Sequence, residues 1–439
     1  MSRYHFIAMG GAVMHNLALE LQANGHFVQG SDDEIFDPAK TRLAAAGLLP
    51  EAIGWFPEKL DNSLDAVILG MHAKPDNPEL KRAQELGLTI YSFPAFIHHH
   101  SKNKTRLVIA GSHGKTTSTA MLMHILQKSQ KKFDYLVGSL IDGYDRMVKL
   151  SDAPLMVIEG DEYLTSPIDL TPKFFHYHPH AAMITGVAWD HINVFPTFEN
   201  YVSQFDTFIQ TVKGECFTFG EDHELQQLAD KNAKCRPYSA PVYTNRENGV
   251  TVTVNGHEYN LPFFGKHNVE NAAGVVLLAQ TVGISAADSW TALQDFPGTS
   301  KRLERIFQSE NLTVYRDFAH APSKVAATVK AVREQYPNHN FIAAFELHTY
   351  SSLMPEFMAQ YQGTLNAANH ALVLFDPHVF ELKRMPIPTK ETVESRLGNV
   401  TAFTSAQEFK NAVETCIKTD TPTVVLWMSS GNFGGITLH

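Results

Sequence analysis

The chain has 439 residues and a formal net charge of −10, with 36 Lys and Arg against 46 Asp and Glu. With 44% hydrophobic and 19% charged residues, it has ample apolar material for cores, which excludes disorder and low complexity. Its acidic balance argues against a duplex nucleic-acid binder, although phosphates can still bind at loops and helix N-termini. At roughly 150 residues per domain, the length predicts about three domains. Cys216, Cys235 and Cys416 form no CxxC pair, which excludes a disulfide scaffold and argues against a thiolate metal site. No run approaches the ~18 apolar residues of a spanning helix. The first residues lack a charged region followed by a long apolar run. The expectation is a cytoplasmic globular protein with no membrane segment.

The chain opens with an apolar run, Tyr4–Met9, then Gly10-Gly11 and an amphipathic stretch over Leu17–Ala23. Phe27-Val28 leads to Gly30-Ser31-Asp32. Strand, glycine turn, helix, strand and acidic residue outline a nucleotide-binding βαβ unit, equally compatible with an ordinary tight βα turn. Ala66–Gly70 and Thr89–Tyr91 read as further strands. A polar run to Lys104 closes a first, Rossmann-like domain at residues 1–104.

A short apolar strand over Arg106–Ala110 opens the second domain, 105–298. Gly111-Ser112-His113-Gly114-Lys115-Thr116-Thr117 follows, and a helix runs on to about Lys128. Strand, glycine loop and helix form the context of a phosphate loop. Its backbone N–H groups face phosphates, Lys115 supplies a point charge, and the Thr116 hydroxyl suits Mg²⁺. The spacing G-x-x-G-K-T is shorter than the usual pattern. Because Lys115 lies in a loop and not a core, its removal is expected to stop turnover and spare the fold. Leu155–Ile158 runs into Glu159-Gly160-Asp161-Glu162, and Ala182–Gly186 runs into Asp190-His191. Strands ending in polar loops suit a parallel sheet with its site at the carboxyl ends. Glu159 and His191 stand where Mg²⁺ ligands are needed. Asp161 and Glu162 are adjacent and cannot easily face one point, so one is structural.

Val250–Val254 alternates and ends in Asn255-Gly256, a hairpin signal. A helix follows from Asn268 to about Val282. A boundary at Phe296–Lys301 opens a third α/β domain, 299–439. Its strands are Leu312–Tyr315, Asn340–Phe345, Ala371–Phe375 and Thr423–Met428, with a helix over Ser323–Glu334. His98-His99-His100 reads as a solvated helix end, because consecutive histidines point in different directions.

Taken together, these segments resemble the Mur ligases, the ATP-dependent amide-forming enzymes of peptidoglycan assembly. Gly111–Thr117 is similar to the family's G-T-H-G-K-T-T, with Ser112 in place of Thr. Glu159–Tyr163 resembles E-A-D-E-[SY], and Asp190-His191 the D-H pair. Gly265–Ala272 resembles G-x-H-N-x-x-N-A. Lys301–Glu304 resembles R-R-[LF]-[EQ], and Arg316–Pro322 resembles D-D-[FY]-[AG]-H-H-P, with Ala321 in place of a histidine. The resemblance implies three α/β domains: a Rossmann-like UDP-sugar domain, a central P-loop ATPase domain with a parallel sheet, and a Rossmann-like C-terminal domain that binds the amine.

The resemblance further implies ATP and Mg²⁺. ATP would phosphorylate a carboxylate to an acyl phosphate, which an amine then attacks. Gly111, Ser112, His113, Gly114, Lys115, Thr116 and Thr117 would bind its phosphates, with Lys115, Glu159 and His191 as catalytic residues. Thr116, Glu159 and His191 would hold metal, and Asn268 and Asn271 would contact adenine. Arg302 would reach phosphate and Asp317 ribose; a linker ion pair is the plainer alternative for these two. Gly10, Gly11, Ser31 and Asp32 would contact UDP-N-acetylmuramate, and His320 and His348 the amine. Some members carry a carbamylated lysine after the D-H strand; here the corresponding helix, Tyr201–Asp206, has none.

Glu162-Tyr163, Asp317–His320 and Met428–Ile436 resemble the recycling branch, which adds L-alanyl-γ-D-glutamyl-meso-diaminopimelate. His348 and Tyr350 resemble the alanine-adding branch, yet Thr349 replaces its arginine. The tripeptide ranks first on these motifs and L-alanine second. A non-catalytic UDP-sugar-binding protein and a folate-type ligase are the readings from other classes. Monomer and dimer both stay open.

Overall fold

The computed structural model describes residues 1–189, 194–418 and 420–436. Among these the chain divides into two compact units, one of residues 1–189, 194–239 and 274–292, the other of 240–273, 293–418 and 420–436. Both expected domain boundaries, at 104 and 298, fall outside helices and strands.

The first unit begins with strands β1 (Arg3–Ile7), β2 (Phe27–Ser31), β3 (Ala66–Leu69) and β4 (Ile90–Ser92), all parallel in the order β2-β1-β3-β4. Parallel pairing demands crossovers, supplied by helices α1 (Ala12–Ala23), α2 (Ala39–Ala45) and α3 (Pro78–Glu85); α4 (Phe93–Ser101) follows β4. Both sheet faces are covered, so β3 is apolar at every position. Phe6 and Ile68 join the core on one face, Ile7, Val67 and Leu69 that on the other.

The same unit continues with β5 (Thr105–Ala110), α5 (Lys115–Lys128), β6 (Phe133–Leu136), β7 (Val148–Lys149), β8 (Leu155–Glu159), the hairpin β9 (Leu164–Ser166) and β10 (Asp169–Pro172), β11 (Ala181–Ile184), α6 (Phe198–Thr211), β12 (Cys216–Phe219), α7 (His223–Lys231) and β13 (Cys235–Tyr238). Seven strands form one sheet, β13-β12-β11-β5-β8-β6-β7, with β7 alone antiparallel to its neighbour. The order places β5, and the loop that follows it, beside the ends of both β8 and β11.

Helix α1 docks on the β7 segment through a row of polar residues four apart, which share one helix face. Asn16 Oδ1 accepts from Met147 N at 3.1 Å, Glu20 Oε1 from Leu150 N at 2.9 Å, and Asn24 Nδ2 donates to Leu150 O at 2.8 Å. Arg146 also pairs with Glu20 at 2.5 Å. Arg106, 1% exposed, donates to the carbonyls of Ser101, Lys104, Tyr177 and His178. It thereby ties the end of α4 to the central sheet. This neighbourhood corrects the reading of His98–His100. Only His99 is exposed; His98 lies 4.9 Å from the His178 ring, and burial first, then Arg106, lowers it to about 4.

In the second unit β14 (Val242–Arg246), β15 (Gly249–Val254) and β16 (His257–Leu261) form an antiparallel sheet. Its β15–β16 turn, Asn255-Gly256, has φ of +50° and +80°, the signature of a type I′ turn. The division between units falls inside α8 (Lys266–Gln280), and α9 (Ala286–Leu293) follows. The C-terminal part comprises β17 (Glu304–Gln308), β18 (Leu312–Asp317), α10 (Pro322–Gln335), β19 (Asn340–Leu347), α11 (Tyr350–Leu353), α12 (Pro355–Met358), β20 (His370–Phe375), α13 (Pro377–Leu382), α14 (Lys390–Leu397), β21 (Thr401–Phe403), α15 (Ala406–Cys416) and β22 (Thr423–Met428). Its sheet runs β17-β18-β22-β19-β20-β21, parallel except for β17. β19 is buried at all eight positions, as a central strand covered on both faces must be.

Candidate functional site

The loop between β5 and α5 is shaped by glycines at two positions of positive φ. Gly111 has φ +124°, and a Cβ there would sit 2.2 Å from Thr185 Oγ1. Gly114 has φ +71° and caps α5 in the left-handed region. The end of β11 braces the loop: Ser112 N donates to Gly186 O at 2.9 Å, and Thr185 Oγ1 donates to His113 O. The N-terminal N–H groups of a fourteen-residue helix then form a ready anion site.

Side chains converge on this loop from neighbouring strand ends. Thr116 Oγ1 donates to Glu159 Oε1 at 2.9 Å, and Gly138 N to Glu159 Oε2 at 2.9 Å. A Cβ on Gly138 would come 2.9 Å from Glu159 Oε1, so glycine there lets the carboxylate approach the backbone. Lys115 Nζ donates to Gly111 O at 2.5 Å and to Glu162 Oε2 at 2.7 Å. Burial alone would lower the Lys115 ammonium, but Glu162, Asp161 and Glu159 together hold it above its ordinary range. Asp161 turns the other way, to Lys173 at 2.5 Å. Burial raises its carboxyl, but Lys173 and Lys115 outweigh that and hold it low. The adjacent acids thus divide as expected, with Asp161 structural and Glu162 facing the loop.

That pairing bears on the expectation for Lys115. The Glu162 side chain is 1% exposed, so deleting the lysine would take the paired charge from a buried carboxylate and is expected to cost stability as well as turnover.

The donor set fits the group that the motif implies. Thr116 and Glu159 are hard oxygen donors held together at a helix N-terminus, and Mg²⁺ takes one or two carboxylates with phosphate oxygens and water. No cluster of three His, Cys, Asp or Glu exists among the described residues, so nothing there competes as a dedicated metal cage. Asp190 and His191 lie outside the described residues.

At the β1–α1 turn, Gly10 N donates to Asp32 Oδ2 at 2.6 Å, and a Cβ on Gly10 would lie 3.0 Å from that oxygen. Gly11 is the N-cap of α1, and Ser31 is fully buried beside them. Burial pushes the Asp32 carboxyl up to about 6, against the Gly10 N–H, which lowers it. The four expected residues are therefore together.

In the second unit, Asn268 donates its amide to Phe264 O at 2.9 Å, and Asn271 is buried one turn along α8. Arg302 lies 4.6 Å over the Phe318 ring. Asp317 accepts from Leu303 N at 2.6 Å and Ala319 N at 2.7 Å. The linker ion pair is a different one, Arg316 to Glu304 at 2.8 Å. Burial raises the Asp317 carboxyl, with Arg302 opposing. His320 Nδ1 bonds Phe318 O at 2.8 Å. His348 Nδ1 is buried and unbonded, 3.8 Å from Glu346 Oε1. Glu346 was not singled out from the sequence. It is 3% exposed, takes hydrogen bonds from Ser429 Oγ and Phe433 N, and so folds the Ser429–Phe433 loop beside His348. An acidic residue in the strand NFIAAFEL, apolar from Phe341 to Phe345 and again at Leu347, was the available signal.

Parallel sheets with a phosphate-type loop at their carboxyl ends define the class: an α/β enzyme built to handle a nucleotide. Two family models match the chain, "Mur ligase family, catalytic domain" over residues 3–105 and "Mur ligase middle domain" over 109–279. The UDP-N-acetylmuramate–L-alanine ligase of Limosilactobacillus reuteri is 33% identical over 370 residues, 80% of each chain. Among solved structures, the UDP-N-acetylmuramate-alanine ligase of Thermotoga maritima superposes with a TM-score of 0.71 at 22% identity, covering 99% of this chain and 97% of that one. The UDP-N-acetylmuramate:L-alanyl-gamma-D-glutamyl-meso-diaminopimelate ligase of Neisseria meningitides gives 0.61 at 27% identity, over 67% of this chain and 98% of that one. The chain belongs to the Mur ligase family, whose members are ATP-dependent ligases that form amide bonds. Among the described residues no helix is long and apolar enough to cross a membrane.

Proposed function

We propose that this chain joins the lactyl carboxylate of UDP-N-acetylmuramate to the amino group of L-alanine, with release of ADP and phosphate. The observation that carries the ATP half is the Lys115, Thr116 and Glu159 constellation around the Gly111–Thr117 loop. The relative with 33% identity over 80% of the chain supports the choice of acid and amine. This places L-alanine ahead of the tripeptide, the reverse of the order that the motifs alone gave. The tripeptide stays as the second reading, favoured by the 27% identity to the Neisseria enzyme.

A carboxylate is a poor electrophile. Its oxygen attacks the γ-phosphorus, the bond to the β-phosphate oxygen breaks, and ADP departs. The amine nitrogen then attacks the acyl carbon, inorganic phosphate leaves with the oxygen, and the nitrogen gives up a proton. The protein's part is positioning and charge neutralisation. Gly111–Thr117 amides cradle phosphates, and the Lys115 ammonium keeps one N–H beyond its two present bonds. Thr116 and Glu159 would hold Mg²⁺, with His191 as the further ligand the resemblance implies. Bound Mg²⁺ supplies neutralisation of phosphate charge. Asn268 and Asn271 read adenine, while Arg302 and Asp317 serve phosphate and ribose. Gly10, Gly11, Ser31 and Asp32 serve the UDP-sugar, and His320 and His348 the amine.

The test is phosphate release by the purified chain with Mg·ATP, UDP-N-acetylmuramate and either L-alanine or the tripeptide. Release with L-alanine alone supports the proposal. Release with the tripeptide alone replaces it by the second reading. Silence with both points to another amine or to a UDP-sugar-binding protein, and overturns both readings of the amine.

A further inference from the structure

Behind Lys115 stands a buried hydrogen-bond chain that the ligase motifs leave unassigned. Tyr201, on α6, is fully buried. Its hydroxyl donates to Glu162 Oε1 at 3.1 Å and lies 2.8 Å from Ser112 Oγ. Ser112 Oγ accepts from Ala188 N at 2.9 Å. The direction of every bond follows from the ends. Ala188 can only donate and an ionised Glu162 can only accept, so the Ser112 hydroxyl donates to Tyr201 and Tyr201 to Glu162. Glu162 Oε2 then grips Lys115, which is also bonded to Gly111 O. Lys115, Gly111 and Ser112 belong to the loop itself, so the chain closes on it. Tyr201 is fixed from the far side, edge-on to Phe195 at 5.4 Å and to Phe205 at 5.3 Å.

We propose that Tyr201 is a positioning residue for Lys115, acting through Glu162 and replacing by a hydroxyl relay what a flexible lysine lacks on its own. A carboxylate held at both oxygens cannot swing, so the Lys115 ammonium keeps two N–H groups occupied and aims the third. This rests on the reading of Gly111–Thr117 as the ATP loop. Loss of the hydroxyl frees Glu162 to rotate and draws the ammonium off the position that meets the transferring phosphoryl group. The effect falls on the transition state more than on ground-state binding.

The experiment compares Tyr201→Phe, Glu162→Gln and the double variant for kcat, for KM(ATP) and for Mg·ADP affinity by calorimetry, with melting temperature as control. The phenylalanine keeps the ring contacts. Expected is a fall in kcat of about tenfold, one charge-assisted hydrogen bond's worth, with KM(ATP) within about threefold. In the Glu162→Gln background the same substitution is expected to change kcat by less than about twofold, because the two act in series. If Tyr201→Phe fails to fold, Ser112→Ala breaks the relay one link earlier, and its kcat should fall by about threefold. An unchanged kcat, an equal fall in both backgrounds or a change confined to melting temperature overturns the proposal. Wild type that binds no Mg·ADP sinks the ATP reading and this proposal with it. Wild type that binds Mg·ADP yet turns over with no amine also overturns it, since Lys115 then has no rate to set.

Discussion

Replacing Lys115 by Met should cost stability as well as activity, and the structure sets the size of each. Breaking a buried ion pair from one side costs about 3–5 kcal/mol, because the partner is left charged and dry. The Lys115 side chain retains 16% exposure against 1% for Glu162, which favours the lower end, about 3 kcal/mol. A unit of this size loses roughly 2–4 °C per kcal/mol, so Lys115→Met should melt roughly 6–12 °C below wild type. Adding Glu162→Gln removes the stranded charge, and the double variant should recover at least half of that loss. Neither variant should retain more than about a hundredth of the phosphate-release rate, since the charge on the transferring group is unanswered in both. Lys115 is held above its ordinary range, so its stabilisation is complete below the unfolded lysine value and is lost only as pH rises through the folded one. The stability gap should therefore be flat from pH 6 to 9. Thermal melts by circular dichroism and a coupled phosphate assay measure both effects. A single variant melting within about 2 °C of wild type, or a double variant no more stable than the single, would refute the buried-pair argument.

Three other outcomes are expected. Thr116→Val keeps the shape of the side chain but removes the hydroxyl beside Glu159, so half-maximal Mg²⁺ should rise about 10–100-fold; an unchanged Mg²⁺ curve would remove Thr116 from the metal site. Arg106→Met strands four backbone carbonyls and should cost about 3–5 kcal/mol, read as a lower urea midpoint at unchanged slope; a shift under about 1 kcal/mol would show that water replaces the guanidinium. The Asp32 carboxyl, raised to about 6, favours the fold while protonated, so that contribution is lost as pH climbs through about 6. Asp32→Asn should therefore narrow the difference between melting temperatures at pH 4.5 and pH 8, and an identical pH profile in the two proteins would count against it.

The elements were largely legible because their causes are local. The strand at Thr423–Met428, the helix after the phosphate loop and the Asn255-Gly256 turn each follow from periodicity or a required φ. The loop residues and Glu159 could each be picked out locally, since Gly111–Thr117 and Glu159–Tyr163 are two short motifs that each follow or end an apolar strand. What was hidden depends on partners far away in sequence. The Lys115–Glu162 pair, the Gly138 approach to Glu159 and the Glu346 anchor for Ser429–Phe433 each join separate strand ends. Cys216 and Cys235, scattered in sequence, face each other in register across β12 and β13, and both remain free thiols. His98 is half-buried against His178, where Arg106 ties the end of α4 to the central sheet. Pairing of this kind follows from strand order, which composition and spacing do not encode.

The polar row on α1 bears on how such a ligase can be reshuffled. Asn16, Glu20 and Asn24 answer main-chain groups of residues 147–150, and they do so from the helix that begins at the Gly10-Gly11 turn. A crossover at residue 104 would look harmless in an alignment, yet it would separate the teeth of a comb from the backbone they mesh with. Grafted first domains should therefore succeed only when residues 145–150 travel with them, which makes the first sheet and the central sheet a single heritable part.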